Sequence, residues 1–292
     1  MVQRALFAGI TTIDIQYFVE NYPVPDTKTK SSSFLFSTGG PATNAAATFS
    51  FLGGESHLCS VVGKNHYFSE FIYNDLKKWN IVLKDLMPES AEIPTISSII
   101  TAADTGERTI VYTRRSHNIL PSGLVEQFSG YSYDIILVDG MNMEACTEFA
   151  RYGQSEGIPV VLDGGSWKEG MEKLLPFITI AICSDDFNPP GTNNIREVMD
   201  FLEYQDIELI VVTRGKNPVL FLENGRKEEI KIAPVKVVDT LGAGDVFHGS
   251  FCYHYIQNMD FREALNKAAE TATESCKFRG ARTWMIDEKR DE

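Results

Sequence analysis

Short, nearly continuous apolar runs alternate along this chain with longer stretches whose apolar residues recur every three or four positions. "RALFAGI", "SHLCSVV", "DIILVD", "IPVVLD", "ITIAICS" and "LIVVT" are of the first kind. "PATNAAATFSFLGG", "HYFSEFIYNDLKKWN" and the stretches near 143–155, 167–175 and 193–204 are of the second. A strand that is apolar on both faces needs cover on both faces. The alternation therefore predicts an α/β fold with a mostly parallel central sheet between two layers of helices. In the first helix Pro41 suits the first turn, Ala42, Ala45, Ala46, Phe49 and Leu52 form the apolar stripe, and Gly53-Gly54 ends it.

Two segments break the alternation. Residues 13–38 lie between the first strand and the first helix, and residues 94–115 hold two alternating runs around the turn "ADTGE". Both are strand-like, and they are expected to pair into a small second sheet, a lid over one edge of the main sheet. After "VVD" come two core helices. One starts near Gly244 and stacks Phe247, Phe251 and Tyr255. The other starts at Asp260, with Glu263 completing a capping box, and runs Phe261, Ala264, Leu265, Ala268, Ala272 and Cys276 along one stripe. Residues 1–292 read as a single domain with no internal repeat and a frayed tail, "DEKRDE".

Composition narrows the function. A formal net charge of −13 opposes a nucleic-acid or anionic-membrane partner, which calls for a basic face. It leaves room for small anions held by a local group of donors. Cys59, Cys146, Cys183, Cys252 and Cys276 form no C-x-x-C pair and read as buried free thiols in a reducing compartment. No apolar run approaches the roughly 18 residues of a membrane span. "ALFAGITTI" reads as a buried strand and not as a signal peptide, so the expected location is cytoplasmic.

The chemistry concentrates in "VVDTLGAGDVFHGSF", residues 237–251. Gly242, Ala243 and Gly244 let backbone N–H groups approach a ligand, and the helix that follows adds its unpaired amides and the positive end of its dipole. Together these make an anion hole with Asp245 at its mouth. That position favours the charged carboxylate, so a weak base is expected. Phosphoryl transfer, with its loose transition state, asks little more than an oriented hydroxyl. The spacing is equally that of a glycine-rich helix start capped by an aspartate. No G-x-x-x-x-G-K-[ST] occurs, and no G-x-G-x-x-G follows the first strand.

"DTLGAGDVFHG" resembles the C-terminal signature of the ribokinase-like (PfkB-type) carbohydrate kinases, and "STGGPATNAAATFSFLGG" resembles that family's N-terminal glycine signature. "GERTIVY" and "VDGMN" are similar to pieces of ketohexokinases. "ITTIDIQYFVENYP", "GAGDVFHG" and "FRGAR" are similar to sulfofructose-kinase-type members. The resemblance covers nearly the whole chain. It implies the ribokinase-like fold and an ATP-dependent sugar kinase, with Mg²⁺ and with K⁺ as a candidate activator. The expected acceptor is a primary alcohol of a ketose or related sugar.

The resemblance also implies roles for residues. Asp245 is the base and the amides of Gly242, Ala243 and Gly244 are the anion hole. Asp14, Gly39, Gly40, Asn44, Asp139 and Asn142 bind the sugar. Arg108, Ser184, Thr213 and Gly215 lie along the ATP phosphates and nucleotide, and Asp239, with carbonyls of the loop 275–283, is a candidate monovalent-cation ligand. Exposed lid edges make a homodimer an expectation.

The chain departs from the family pattern in two places. Where an Asn-x-x-Glu segment often organises magnesium, it has Ser184, Asp185, Asp186 and Phe187, so the Mg²⁺ site is unknown and Asp185 or Asp186 is the candidate, acting through water. After "VTRG" it has Lys216, Asn217 and Pro218 where a further glycine is usual. A nucleoside kinase of the same fold is an alternative, with Tyr17, Phe18 and Tyr112 as an aromatic sandwich. A non-catalytic sugar-binding relative is another. Lys28, Lys30, Arg114 and Arg115 are either a solvated lid edge or a reader of a distal phosphate or sulfonate. His248 and Cys252, four apart on a helix, are expected to be core packing and not metal ligands.

Overall fold

A computed structural model describes residues 2–103, 106–113, 121–128 and 130–288. Its strands are β1 (Arg4–Ala8), β2 (Thr12–Val19), β3 (Ser33–Gly39), β4 (Glu55–Ser60), β5 (Ile81–Asp85), β6 (Thr95–Ala102), β7 (Arg108–Tyr112), β8 (Ile135–Val138), β9 (Val160–Gly164), β10 (Ile180–Ser184), β11 (Leu209–Arg214), β12 (Asn217–Glu223) and β13 (Arg226–Ile230). Its helices are α1 (Pro41–Phe51), α2 (Ser69–Lys78), α3 (Met143–Glu156), α4 (Met171–Leu174), α5 (Ile195–Tyr204), α6 (Ala243–Asn258), α7 (Phe261–Ser275) and α8 (Trp284–Glu288).

The main sheet runs β13-β12-β11-β10-β9-β8-β1-β4-β5. Every pairing from β5 through β11 is parallel, and β12 and β13 are antiparallel additions. Alternation within a strand sorts side chains to opposite faces. Ala5 and Phe7 of β1 join one core with α1, α2, α6 and α7, while Leu6 and Ala8 join the other with α3, α4 and α5. This two-sided burial is why the central strands read as unbroken apolar runs.

The expected second sheet exists, with order β3-β2-β6-β7. Its outer pairings are antiparallel and its central pairing, β2 with β6, is parallel. Side-chain bonds tie it to the main body. Gln16 of β2 donates to Asp239 at 2.6 Å, Arg108 of β7 donates to Thr240, and Arg279 donates to Ser33 at 3.0 Å.

Three local readings change. The helix expected over 167–175 shrinks to α4, which begins after Gly170 and passes at Leu175-Pro176 into a 3₁₀ turn. Pro176 has no N–H to continue an α-helical ladder. Cys276 is only partly buried, unlike the other four thiols. Strands β5, β12 and β13 lie beyond the expected set.

Candidate active site

β1 pairs with β4 on one side and β8 on the other, so the chain reverses its direction of sheet growth there. Crevices for ligands open at such points, beyond the C-terminal ends of the strands. Asp139 leaves β8 at this edge, Asp163 lies near the end of β9, Ser184 ends β10 and Thr213 is near the end of β11.

α6 begins at Ala243 behind Gly242, whose φ of 75° lies in the left-handed region. A Cβ on Gly242 would stand 2.5 Å from the Ala281 methyl carbon, so packing and backbone both require glycine. Gly244 is different. A Cβ there meets no atom of the described residues within 4 Å, and the residue is exposed. The turn therefore offers an open face with the first amides of α6 beside it.

Asp245 stands in that first turn, partly exposed. Its Oδ2 accepts a hydrogen bond from Asn44 Nδ2 at 2.8 Å. The "GAGD" turn and the "GGPATN" helix start, far apart in the chain, thus meet at one carboxylate. The expectation of a weak base fails. Burial of the carboxyl, reinforced by the nearby charge of Asp163, pushes Asp245 up to about 7, and the Asn44 bond and His248 only partly oppose this. The helix terminus does not outweigh desolvation between neighbouring acids.

Asp14 is 8% exposed and faces the same space from β2. Thr12 Oγ1 donates to its Oδ1 at 2.7 Å, and Ser97 adds a further bond. Burial raises its affinity for a proton, while these bonds and the Arg282 charge oppose the rise. Gly39 leaves room for it, because a Cβ there would stand 1.9 Å from Asp14 Oδ2 and force the carboxylate to shift.

Arg282 closes the "FRGAR" piece, but nothing in its spacing gives it a role. It is buried, with Nε donating to Asn44 Oδ1 at 2.9 Å, Nη2 to the Thr38 carbonyl at 2.7 Å and Nη1 to Asp75 Oδ2 at 2.8 Å. It fixes the amide of Asn44, whose other end holds Asp245.

Other expected site residues also make structural contacts. Asp139 is buried and accepts from the amides of Ile10 at 2.9 Å, Met141 at 2.8 Å and Ala42 at 3.4 Å. It staples the sheet edge to the start of α1. Burial raises it to about 6 against those bonds. Asn142 caps α3, its side chain accepting from the Ala145 amide, and it also lines a pocket with Ile10, Thr11, Ser60, Glu92 and Thr95. Asp239 Oδ1 accepts from the Leu241 amide at 3.0 Å, and Oδ2 accepts from Gln16 and from the Gly280 amide at 2.8 Å. A carboxylate so occupied fits a role in tying the turn to the lid and the 275–283 loop better than a role as an ion ligand.

Arg108 reaches Thr240, just ahead of the turn. Ser184 donates to the Gly165 carbonyl at 2.8 Å, and Thr213 Oγ1 donates to the Cys183 carbonyl at 3.3 Å. Gly215 turns β11 into β12 with φ 56°. Asp185 and Asp186 are exposed beside Ser184. Phe18 is buried, with the Arg279 guanidinium 4.8 Å from its ring centre, while Tyr17 and Tyr112 are exposed, so the three make no sandwich. Lys28 and Lys30 are exposed, and Arg114 and Arg115 fall outside the described residues.

The sequence pattern of the pfkB family carbohydrate kinases matches residues 2–288. A ribokinase of Lactococcus lactis is 23% identical over 287 residues, spanning 95% of this chain and 92% of that protein. The fold is shared with a putative ribokinase from Agrobacterium tumefaciens, at a TM-score of 0.86 and 24% identity over 100% of this chain and 98% of that one. It is also shared with an Arabidopsis thaliana ribokinase solved with ribose and ATP, at a TM-score of 0.77 and 18% identity over 98% of each chain.

Proposed function

The chain belongs to the pfkB family of carbohydrate kinases, and on that premise we propose that it transfers the γ-phosphate of ATP to a hydroxyl of a small sugar, with Asp245 as the base. The observation that carries this reading is the convergence of Asp245, the open Gly244 face and Asn44 at one point. The acceptor hydroxyl lies against Asp245, with Asp14 and the Gly39-Gly40 turn receiving the other hydroxyls. Its oxygen forms a bond to the γ-phosphorus as the bond from that phosphorus to the bridging oxygen of ADP breaks, and its proton passes to Asp245. A carboxyl raised to about 7 is matched to that proton transfer near neutral pH. The amides of Gly242, Ala243 and Gly244 receive the charge that develops on the phosphoryl oxygens. Arg108 approaches from the lid side, and Ser184, Thr213 and Gly215 border the nucleotide.

Mg²⁺ supplies charge neutralisation on the ATP phosphates when bound. Asp185 and Asp186, exposed oxygen donors beside Ser184, are the residues that fit holding it through water. A ketose or related sugar with a primary alcohol is the proposed acceptor. The outer lid supports a homodimer, since Phe34, Val111 and Tyr112 on the edge strands β3 and β7 are 63%, 66% and 55% exposed. The free thiols accord with a cytoplasmic location.

The test is ADP release measured over ketoses, aldoses, their phosphates and nucleosides, repeated with Asp245→Asn. Turnover on a sugar that collapses in the variant is expected. Turnover on nucleosides alone would move the acceptor class. Background turnover with every acceptor, while a sugar still binds, would leave a binding protein on this fold.

A further inference from the structure

His248 and Asp163 lie beneath the catalytic turn and take no part in the reaction as described. We propose that His248 is held as an imidazolium paired with Asp163, and that this buried pair positions the turn and tunes Asp245. The tuning rests on the assignment of Asp245 as the base; the charge on His248 does not.

The argument starts from hydrogen-bond chemistry. His248 Nδ1 lies 2.7 Å from the carbonyl oxygen of Gly244, and Nε2 lies 3.1 Å from the carbonyl oxygen of Ile182. Nε2 is also 3.7 Å from Asp163 Oδ1. All of these partners accept and none donates. A neutral imidazole has one N–H and would turn a lone pair on a carbonyl at its other nitrogen, whereas the cation donates at both. His248 is 5% exposed and Asp163 is 6% exposed, so solvent is largely shut out from both.

Asp163 supplies the second observation. Its Oδ2 is closed to solvent and has no hydrogen-bond partner among the described residues. A buried carboxylate left this bare calls for a counter-charge, and the imidazolium of His248 provides one. The charged and titratable groups that bear on Asp245 are then Asp163 from β9, Asp14 from β2 and His248 from α6 itself, with Arg282 acting through Asn44. The two acids favour the protonated form of Asp245 and the cation favours the charged form. A further effect follows from covalent connectivity. The carbonyl of Gly244 and the N–H of Asp245 belong to one peptide unit. A cation on that carbonyl polarises the unit and strengthens the N–H as a donor at the start of α6.

Histidine side-chain ¹⁵N NMR on the wild-type protein at pH 7.5, with the ring assigned through its own backbone, reads the charge directly. Two protonated ring nitrogens on His248 are expected. One protonated and one bare nitrogen would overturn the proposal, and this readout is independent of any substrate. The pH profile of kcat/KM then tests the coupling. His248→Gln is expected to move the acid limb to higher pH by about one unit, and Asp163→Asn, which also removes the charge that holds the imidazolium, to move it less. Limbs that stay together in all three proteins, whatever the loss in kcat, would reduce the pair to a structural role. Absence of turnover with every acceptor would instead fault the kinase reading and leave the NMR result standing.

Discussion

Asn44 Nδ2 donates to Asp245 Oδ2 over 2.8 Å and joins two helix starts that lie 201 residues apart. The carboxylate that opens α6 is thereby aimed by the residue that opens α1, and neither could be placed by its own segment alone.

Replacing Asp245 by Asn keeps the size of the side chain and removes the proposed proton acceptor. Turnover should fall by at least about 10²–10⁴, with ATP affinity nearly unchanged. In the wild type the base must be unprotonated, so kcat/KM should climb as pH rises through about 7. Steady-state kinetics from pH 5 to 9 check both points.

The same substitution should stabilise the fold. Asp245 holds its proton more tightly folded, at about 7, than at the ordinary carboxylate value of 3.8. Below the lower value both states are protonated and nothing is lost. Between the two the folded state pays increasingly to ionise, and above about 7 the penalty is complete. Thermal melts should therefore show the Asn variant gaining over wild type as pH rises from 4 to 8.

The two glycines of the turn should separate function from stability. Gly244→Ala meets open space in a helical turn, so melting should hold or rise slightly while turnover falls, because the methyl stands on the face offered to phosphate. Gly242→Ala meets Ala281 and an unfavourable φ, so the melting temperature itself should drop.

Arg282→Met strips a buried cation from Asp75 and Asn44 and should cost about 3–5 kcal/mol in urea unfolding. Arg282→Lys keeps charge without the fork. It should melt closer to wild type yet lose activity, because the Asn44 amide is no longer fixed.

The parallel sheet and the lid were legible because burial on two faces marks every residue of a strand and burial on one face marks every second. Edge elements carried less of that mark. β5 is buried fully only at Ile81, and β12-β13 mix Pro218 with a charged run. The turn between them, Asn224-Gly225 with both φ values positive, is the local hairpin signal that hydrophobic period alone does not reveal. Asp245 and Asn44 could be named from their motifs. The raised basicity of Asp245 could not, since it arises from burial and from Asp163 and Asp14, all of which come only with the fold. Arg282 is 238 residues from Asn44 and no period links them. Asp139 carries two readings at once, since the strand end that marks a crevice also serves to bind its own backbone.

Asp14 and Gln16 sit two apart on β2 and so share one face of the lid sheet. On the proposed reading Asp14 meets the sugar, while Gln16 holds Asp239, which in turn gathers the amides of Leu241 and Gly280 around the turn. A sugar that draws Asp14 into place also draws this second linkage taut. The acceptor is thus expected to bind before the nucleotide, in a compulsory order that dead-end inhibition patterns would expose. An enzyme built this way would spare ATP from hydrolysis whenever its sugar is scarce.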